Sequence, residues 1–162
     1  RRPHRHPDRQ SDQTELQAFS TAQANALTAK QVGSLTTTAL GNFSTTQLSS
    51  LTTTQVQGLT ASQLNAMSTT ELDALDVTRL STSQIGGLST AFGNLTTTQH
   101  GLFTTAQVAA LTATQIGNLT STELQAFSAA QANALTAKQI SGRSGKKASA
   151  KRRYWAVKPA AE

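Results

Sequence analysis

Cysteine is absent from the 162 residues, which excludes disulfides and thiolate metal sites and leaves the redox compartment unreadable. Aromatic residues make up only 4% and charged residues only 14%. So small an aromatic stock argues against a conventional large core, although a solenoid needs only a thin continuous one. No run of 18 or more apolar residues exists, so no membrane span is expected. An initiator Met and a signal-peptide pattern are also missing, and the chain is expected to be a processed product or a piece of something longer. Ser and Thr abound, but none stands in a motif with a paired base, so no enzyme, cofactor or metal is expected.

The net charge of +6 is concentrated at the ends. Residues 1–10 carry four Arg against Asp8, and residues 143–162 carry seven Lys or Arg against Glu162. Between them stand three bases (Lys30, Arg79, Lys138) against six acids. The basic balance therefore belongs to two tails, and the body between them is mildly acidic.

That body is a repeat. An octad, L-[S/T]-x-x-Q-[V/I/L]-x-[A/G/N], recurs about seventeen times over 11–142, most clearly at Leu51 to Gly58, Leu59 to Ala66, Phe103 to Ala110 and Leu111 to Asn118. A fixed short period implies small units stacked in one direction, each burying its apolar face on its neighbours. Position 2 is Ser, Thr or Asp throughout, and position 5 is nearly always Gln or Glu. That pairing is a capping box, in which the hydroxyl accepts from the N3 amide and the N3 side chain reaches back to the N-cap amide. Apolar positions 1 and 6 (Leu51 with Val56, Leu59 with Leu64, Phe103 with Val108, Leu111 with Ile116) form a hydrophobic staple. Glycines and asparagines at positions 7 and 8, as in Gly33-Ser34 and Gly117-Asn118, suit a left-handed helix stop. The expected fold is all-α: a solenoid of mini-helices about one and a half turns long, stable only when stacked.

A slower rhythm overlies the octad. Phe19, Phe43 and Met67, and then Phe103 and Phe127, recur 24 residues apart at position 1. Three octads per superhelical turn follow, with the large side chains stacked along one edge. The pattern stumbles over 75–94, where Leu80 can serve as position 6 of one unit and position 1 of the next; a kink, bulge or extruded loop is expected there. Glu15 to Gln31 recurs as Glu123 to Gln139 with a single difference, Thr21 against Ala129, which points to duplication of a larger block.

The octads resemble arrays in large repetitive secreted or surface-associated bacterial proteins that carry strings such as L-T-T-A-Q-V. The likeness covers 11–142 and implies a structural or adhesive role outside the cell or at its surface. Leu111 to Ile116 and Phe103 to Ala110 also resemble the opening helix of transcription activator-like effector repeats. The period near 34, the second helix and the base-reading loop of that family are missing, so DNA recognition is not implied.

Few residues are candidates for chemistry. His4 and His6 lie in the N-terminal tail, where a weak metal site is less expected than a plain basic tail. His100 occupies position 6 and is expected to be packed. Glu71, Asp73 and Asp76 form an acidic cluster without the loop of a calcium site, so a solvated face is expected. The sequons beginning at Asn42, Asn94 and Asn118 arise whenever a helix-ending Asn precedes a capped unit. Exposed Thr pairs (Thr37, Thr38, Thr53, Thr54, Thr97, Thr98) suggest an ice-binding lattice, which the stumble would interrupt. The strongest ligand candidate is the C-terminal tail. There Arg143, Lys146, Lys147, Lys151, Arg152 and Arg153 stand beside Tyr154 and Trp155, a combination suited to phosphates and bases or to another polyanion. The main expectation is a non-enzymatic rod, stalk or filament subunit able to self-associate head-to-tail or laterally. Polyanion or nucleic-acid binding through the tails is the second.

Overall fold

A computed structural model describes residues 19–141, all within the octad array; both basic tails lie outside the described residues. In chain order the helices are α1 (Thr21–Asn25), α2 (Ala29–Ser34), α3 (Thr37–Leu40), α4 (Thr45–Ser50), α5 (Thr53–Gly58), α6 (Ala61–Ala66) and α7 (Thr69–Ala74). A 3-10 turn, η1 (Val77–Arg79), follows. After it come α8 (Thr82–Gly87), α9 (Thr90–Asn94), α10 (Thr97–Leu102), α11 (Thr105–Ala110), α12 (Ala113–Asn118), α13 (Ser121–Gln125), α14 (Ala129–Asn133) and α15 (Ala137–Ser141). The described residues are therefore an all-α array with one short helix per unit.

Nearly every helix begins as the octad dictates. Thr52 donates its amide to Gln55 Oε1 at 2.9 Å, and the Gln55 amide donates to Thr52 Oγ1 at 3.3 Å. The same reciprocal pair closes at Ser44 with Gln47, Thr60 with Gln63, Thr104 with Gln107 and Thr112 with Gln115. Unit α3, with Ala39 at position 5, keeps the Thr36 cap but cannot close the box. All eight staple residues named above are buried, each 3% exposed or less, in one continuous core.

Helix termination differs from the expectation. No described residue, glycine included, has a positive φ. The chain instead leaves the helix in extended conformation at the next position 1, as at Leu59 (φ −64°, ψ 137°), whose amide donates to the Val56 carbonyl at 3.1 Å. In most units the staple itself ends the helix, because burying position 1 requires the chain to turn outward there; in α1, α3, α13 and α14 a right-handed helical residue (Ala26, Gly41, Ala126, Ala134) comes first. Some glycines instead serve close packing. A Cβ on Gly58 would lie 2.4 Å from the Ala29 carbonyl oxygen and 2.8 Å from Ala29 Cα, and one on Gly33 would lie 2.5 Å from the Gly58 oxygen. Only bare backbone lets α2 and α5 approach this closely.

Stacking follows the 24-residue rhythm. Helix α1 packs on α4, α2 on α5, α3 on α6 and α4 on α7; past the irregular stretch, α10 packs on α13, α11 on α14 and α12 on α15. Three units thus complete one turn. The large side chains do not keep to a single edge. Phe19, Phe43 and Met67 open the units of α1, α4 and α7, whereas Phe103 and Phe127 open those of α11 and α14, which belong to a different column continuing from α8.

The interaction joining the turns uses the other end of the position-5 side chain. While Gln55 Oε1 caps its own helix, Gln55 Nε2 donates to the carbonyls of Ala24 (3.0 Å) and Leu27 (2.7 Å) in the turn before. Gln63 does the same to Val32 and Leu35 at 2.9 and 2.8 Å. Gln115 reaches Ile85 and Leu88 at 2.7 and 2.8 Å, and Gln139 reaches Val108 at 2.9 Å and also Leu111. The acceptors are position 6 of one unit and position 1 of the next, the last carbonyls of a helix and its corner. The position-6 carbonyl otherwise accepts the amide of the following position 1, and these last carbonyls carry the negative end of the helix dipole. Apart from His100, every buried polar or charged residue among the described residues is a position-5 Gln.

Two expectations follow. Gln55→Glu keeps the capping acceptor but turns a carboxylate toward two buried carbonyls, and should lower stability by about 2–4 kcal/mol in denaturant unfolding. A residue serving only as a helix cap would show a neutral or favourable effect. Gly58→Ala should destabilise by about 1–3 kcal/mol because backbone must move. Gly117→Ala, where a Cβ meets nothing within 4 Å, should be neutral or stabilising by up to about 1 kcal/mol in the same assay.

Candidate functional site

The irregular stretch is where unlike residues converge. It holds neither a bulge nor an extruded loop. The chain contracts instead, and the count of three units per turn survives. Leu75 is position 1 and Asp76 the cap, but Val77 already occupies the core place of position 6, so the unit lacks three residues. Gln107 shows the register, donating to the carbonyls of Val77 (2.8 Å) and Leu80 (2.7 Å) as other rungs do to positions 6 and 1. Leu80 is therefore position 1 only. The α9 unit, Leu88 to Asn94, is one residue short, and Phe92 takes its position-6 place.

Three side chains replace what the contraction removes. Asp76 Oδ1 accepts from the Thr78 amide at 3.0 Å and from the Thr78 hydroxyl at 2.6 Å, capping η1. Those bonds, with the Arg79 guanidinium alongside, hold the Asp76 carboxyl below its usual range despite some burial. Arg79 pairs with Asp76 at 3.1 Å and donates through Nη1 to the Leu51 carbonyl, the group a glutamine of this unit would have reached. Helix α9 has no side-chain cap from Ser89. Asn65, from the turn before, supplies one: its Oδ1 accepts from the amides of Ser89 (2.8 Å) and Ala91 (3.2 Å), and its Nδ2 donates to the Gly87 carbonyl at 3.1 Å.

Just past the contraction the ladder departs from glutamine. Glu123 stands at position 5 of the α13 unit and has no N–H to donate. Opposite it, at position 6 of the α10 unit, His100 is 1% exposed. His100 Nδ1 lies 3.1 Å from the Thr96 carbonyl and 3.8 Å from Glu123 Oε1. The imidazole stands edge-on to Phe92 and Phe103, with ring centroids 4.9 and 5.7 Å away. Its Nε2 is buried and has no hydrogen-bond partner. Burial lowers the His100 pKa, against the opposing pull of Glu123 and of the Thr96 and Phe92 carbonyls.

The acidic cluster disperses. Glu71 caps Ser68, Asp76 caps η1, and Asp73 is exposed. Among the described residues no three His, Asp or Glu could hold a metal ion. Of the sequons, Asn94 and Asn118 are exposed, whereas Asn42 is half-buried with its Nδ2 enclosed and unpartnered. The six Thr of the lattice idea are exposed. Thr53 and Thr54 share a column with Thr97 and Thr98, but the unit between them is the contracted one, which lacks the corresponding positions; Thr37 and Thr38 lie on another column. His4, His6 and the tail residues from Arg143 to Trp155 lie outside the described residues. No helix among the described residues is long and apolar enough to cross a membrane.

Neither a protein-family model, a curated protein nor a solved structure matches this chain.

The sequence reading missed Asn65 and Arg79 as repairs. Arg79 left a signal, being the one arginine in the array and standing five residues into its unit. Asn65 left none, because its partners lie 24 and 26 residues away. Asn65→Ala should lower stability by about 1–2 kcal/mol. It should also speed amide exchange across 88–94 more than across 43–66. A uniform change would contradict the capping role.

Proposed function

We propose that the protein is a non-enzymatic rod, stalk or filament subunit of a secreted or surface structure. One observation carries the reading: the array spends its buried polar groups on joining its own turns. Nearly every such group is a glutamine bonded to the backbone of the preceding turn, and none of these amides is left to face a ligand. A structure whose contacts run only between neighbouring turns extends without limit in one direction and suits spanning a distance. The exposed surface of Ser and Thr, with few large apolar side chains, fits a stalk that stays soluble along its sides.

Self-association belongs to the same reading. At the lower end of the described array, Phe19, Leu27, Lys30, Gln31, Ser34 and Leu35 line an open groove of about 440 Å³. Phe19, Leu27 and Leu35 are only half-buried there, whereas most equivalent side chains further along are covered by a following or preceding turn. The octad of 11–18 precedes this groove in sequence and lies outside the described residues; a second copy adding end-to-end to the array would extend the stack.

A second reading rests on charge. The excess of +6 over 143–162, beside Tyr154 and Trp155, suits a polyanion or nucleic acid, with the solenoid as spacer. Sedimentation of the full chain over a concentration series, with heparin or single-stranded DNA titrated at 50 and 200 mM salt, separates the two. The rod reading expects concentration-dependent end-to-end growth that persists without 143–162. Tight binding that falls steeply with salt and vanishes on removal of 143–162, with no self-association, would replace it by the second reading.

A further inference from the structure

We propose that the seam between α10 and α13, where His100 faces Glu123, is an acid-sensitive joint of the rod, and that a proton on His100 separates the two helices locally. Elsewhere position 6 is mostly aliphatic and position 5 of the unit above is mostly a glutamine donor. Here both depart together, at stacked positions. His100 replaces an aliphatic residue in a corner walled by Phe92 and Phe103. Glu123 replaces the amide that would have bonded to the Phe92 and Leu95 carbonyls of the turn below, so the corner beside His100 lacks its rung, whereas Gln131 serves the Gly101 and Phe103 carbonyls of the next corner.

The neutral ring satisfies Nδ1 at the Thr96 carbonyl and leaves Nε2 bare in an apolar enclosure. Protonation would put a charge into that buried corner, where desolvation outweighs the pull of Glu123 and of the Thr96 and Phe92 carbonyls, a penalty relieved by exposure to water. The charged groups on the elements packed against α10 are few. Glu123 comes from α13, with its carboxylate 3.8 Å from Nδ1 and outside hydrogen-bonding distance. From η1 come Asp76 and Arg79, which pair with each other, while Arg79 also donates toward the turn below at Leu51. Glu123 is the one charged group that pulls the proton toward His100, aided by the Thr96 and Phe92 carbonyls, and burial outweighs all three.

The sign is fixed by that balance. Because the folded pKa lies below the ordinary 6.5, the unfolded or opened state takes the proton first. The neutral ring's full stability is therefore present above about pH 6.5 and is lost as pH falls below it. Glu123 is also depressed: burial raises its pKa, but the Thr120 amide and hydroxyl and His100 together lower it further, so its own protonation belongs below the ordinary 4.5. Among the described residues, the interval from pH 7.5 to 5.5 therefore isolates His100.

Hydrogen–deuterium exchange on the full chain, corrected for intrinsic rates, tests the joint. Between pH 7.5 and 5.5, segments 95–103 and 119–127 should lose protection by up to about tenfold per pH unit below 6.5, while 43–66 stays level. His100→Leu, which restores an aliphatic position 6, should flatten the profile. An equal acid response in His100→Leu, or loss spread evenly along the array, would overturn the proposal. Should that variant fail to fold, Glu123→Gln decides. It removes the charge that assists a protonated His100, so acid loss should persist or steepen, and a flattened profile would overturn the proposal.

Discussion

Everything in this array hangs on one side chain used at both ends. The carbonyl oxygen of a position-5 glutamine starts its own helix, and its amide closes the corner of the turn beneath. A helix of four to six residues has more unsatisfied backbone groups than internal hydrogen bonds, and would not persist alone. The glutamine answers donors at one terminus and acceptors at another, and it does so in the buried seam where an unmatched group is most unfavourable. Glutamate can do only the first half, and it appears at the seams that lack a rung.

The constraint explains which residues are free to vary. Position 1 must be large and apolar because it fills the corner and turns the chain out of its helix. Position 2 must accept a hydrogen bond, and position 6 must be buried. Positions 3, 4, 7 and 8 are mostly at the surface and drift among Thr, Ser, Ala, Gly and Asn. The unit at 75–79 shows how little is indispensable. With positions 3 to 5 gone, a leucine, a capping aspartate and a valine still make a unit, provided that Arg79 supplies a donor to the turn below.

Most of this fold was legible locally. The capping box, the staple and the period of three octads all follow from residues within one unit or from the spacing of Phe19, Phe43 and Met67. Misjudgements came where the decisive partner was distant in sequence. Gly33 resembled a helix stop because it stands near a helix end, yet it faces Gly58 across a turn. The double role of Gln55 was half visible, since its partners Ala24 and Leu27 stand about 30 residues earlier. His100 announced itself as an anomaly at position 6, but its pairing with Glu123 required knowing that three units make a turn.

The nearly identical blocks at 15–31 and 123–139 carry a consequence for phasing. Their central units form α1 and α14, which stand on different columns of the rod. The same sequence therefore packs equally well on any edge, and local sequence encodes a unit without encoding its azimuth. Gain or loss of a single octad would keep three units to a turn, re-pairing only the units on either side of the change, while swinging all later surfaces by about a third of a revolution. Octad number thus sets two things at once: how far the distal end reaches, and which way it points.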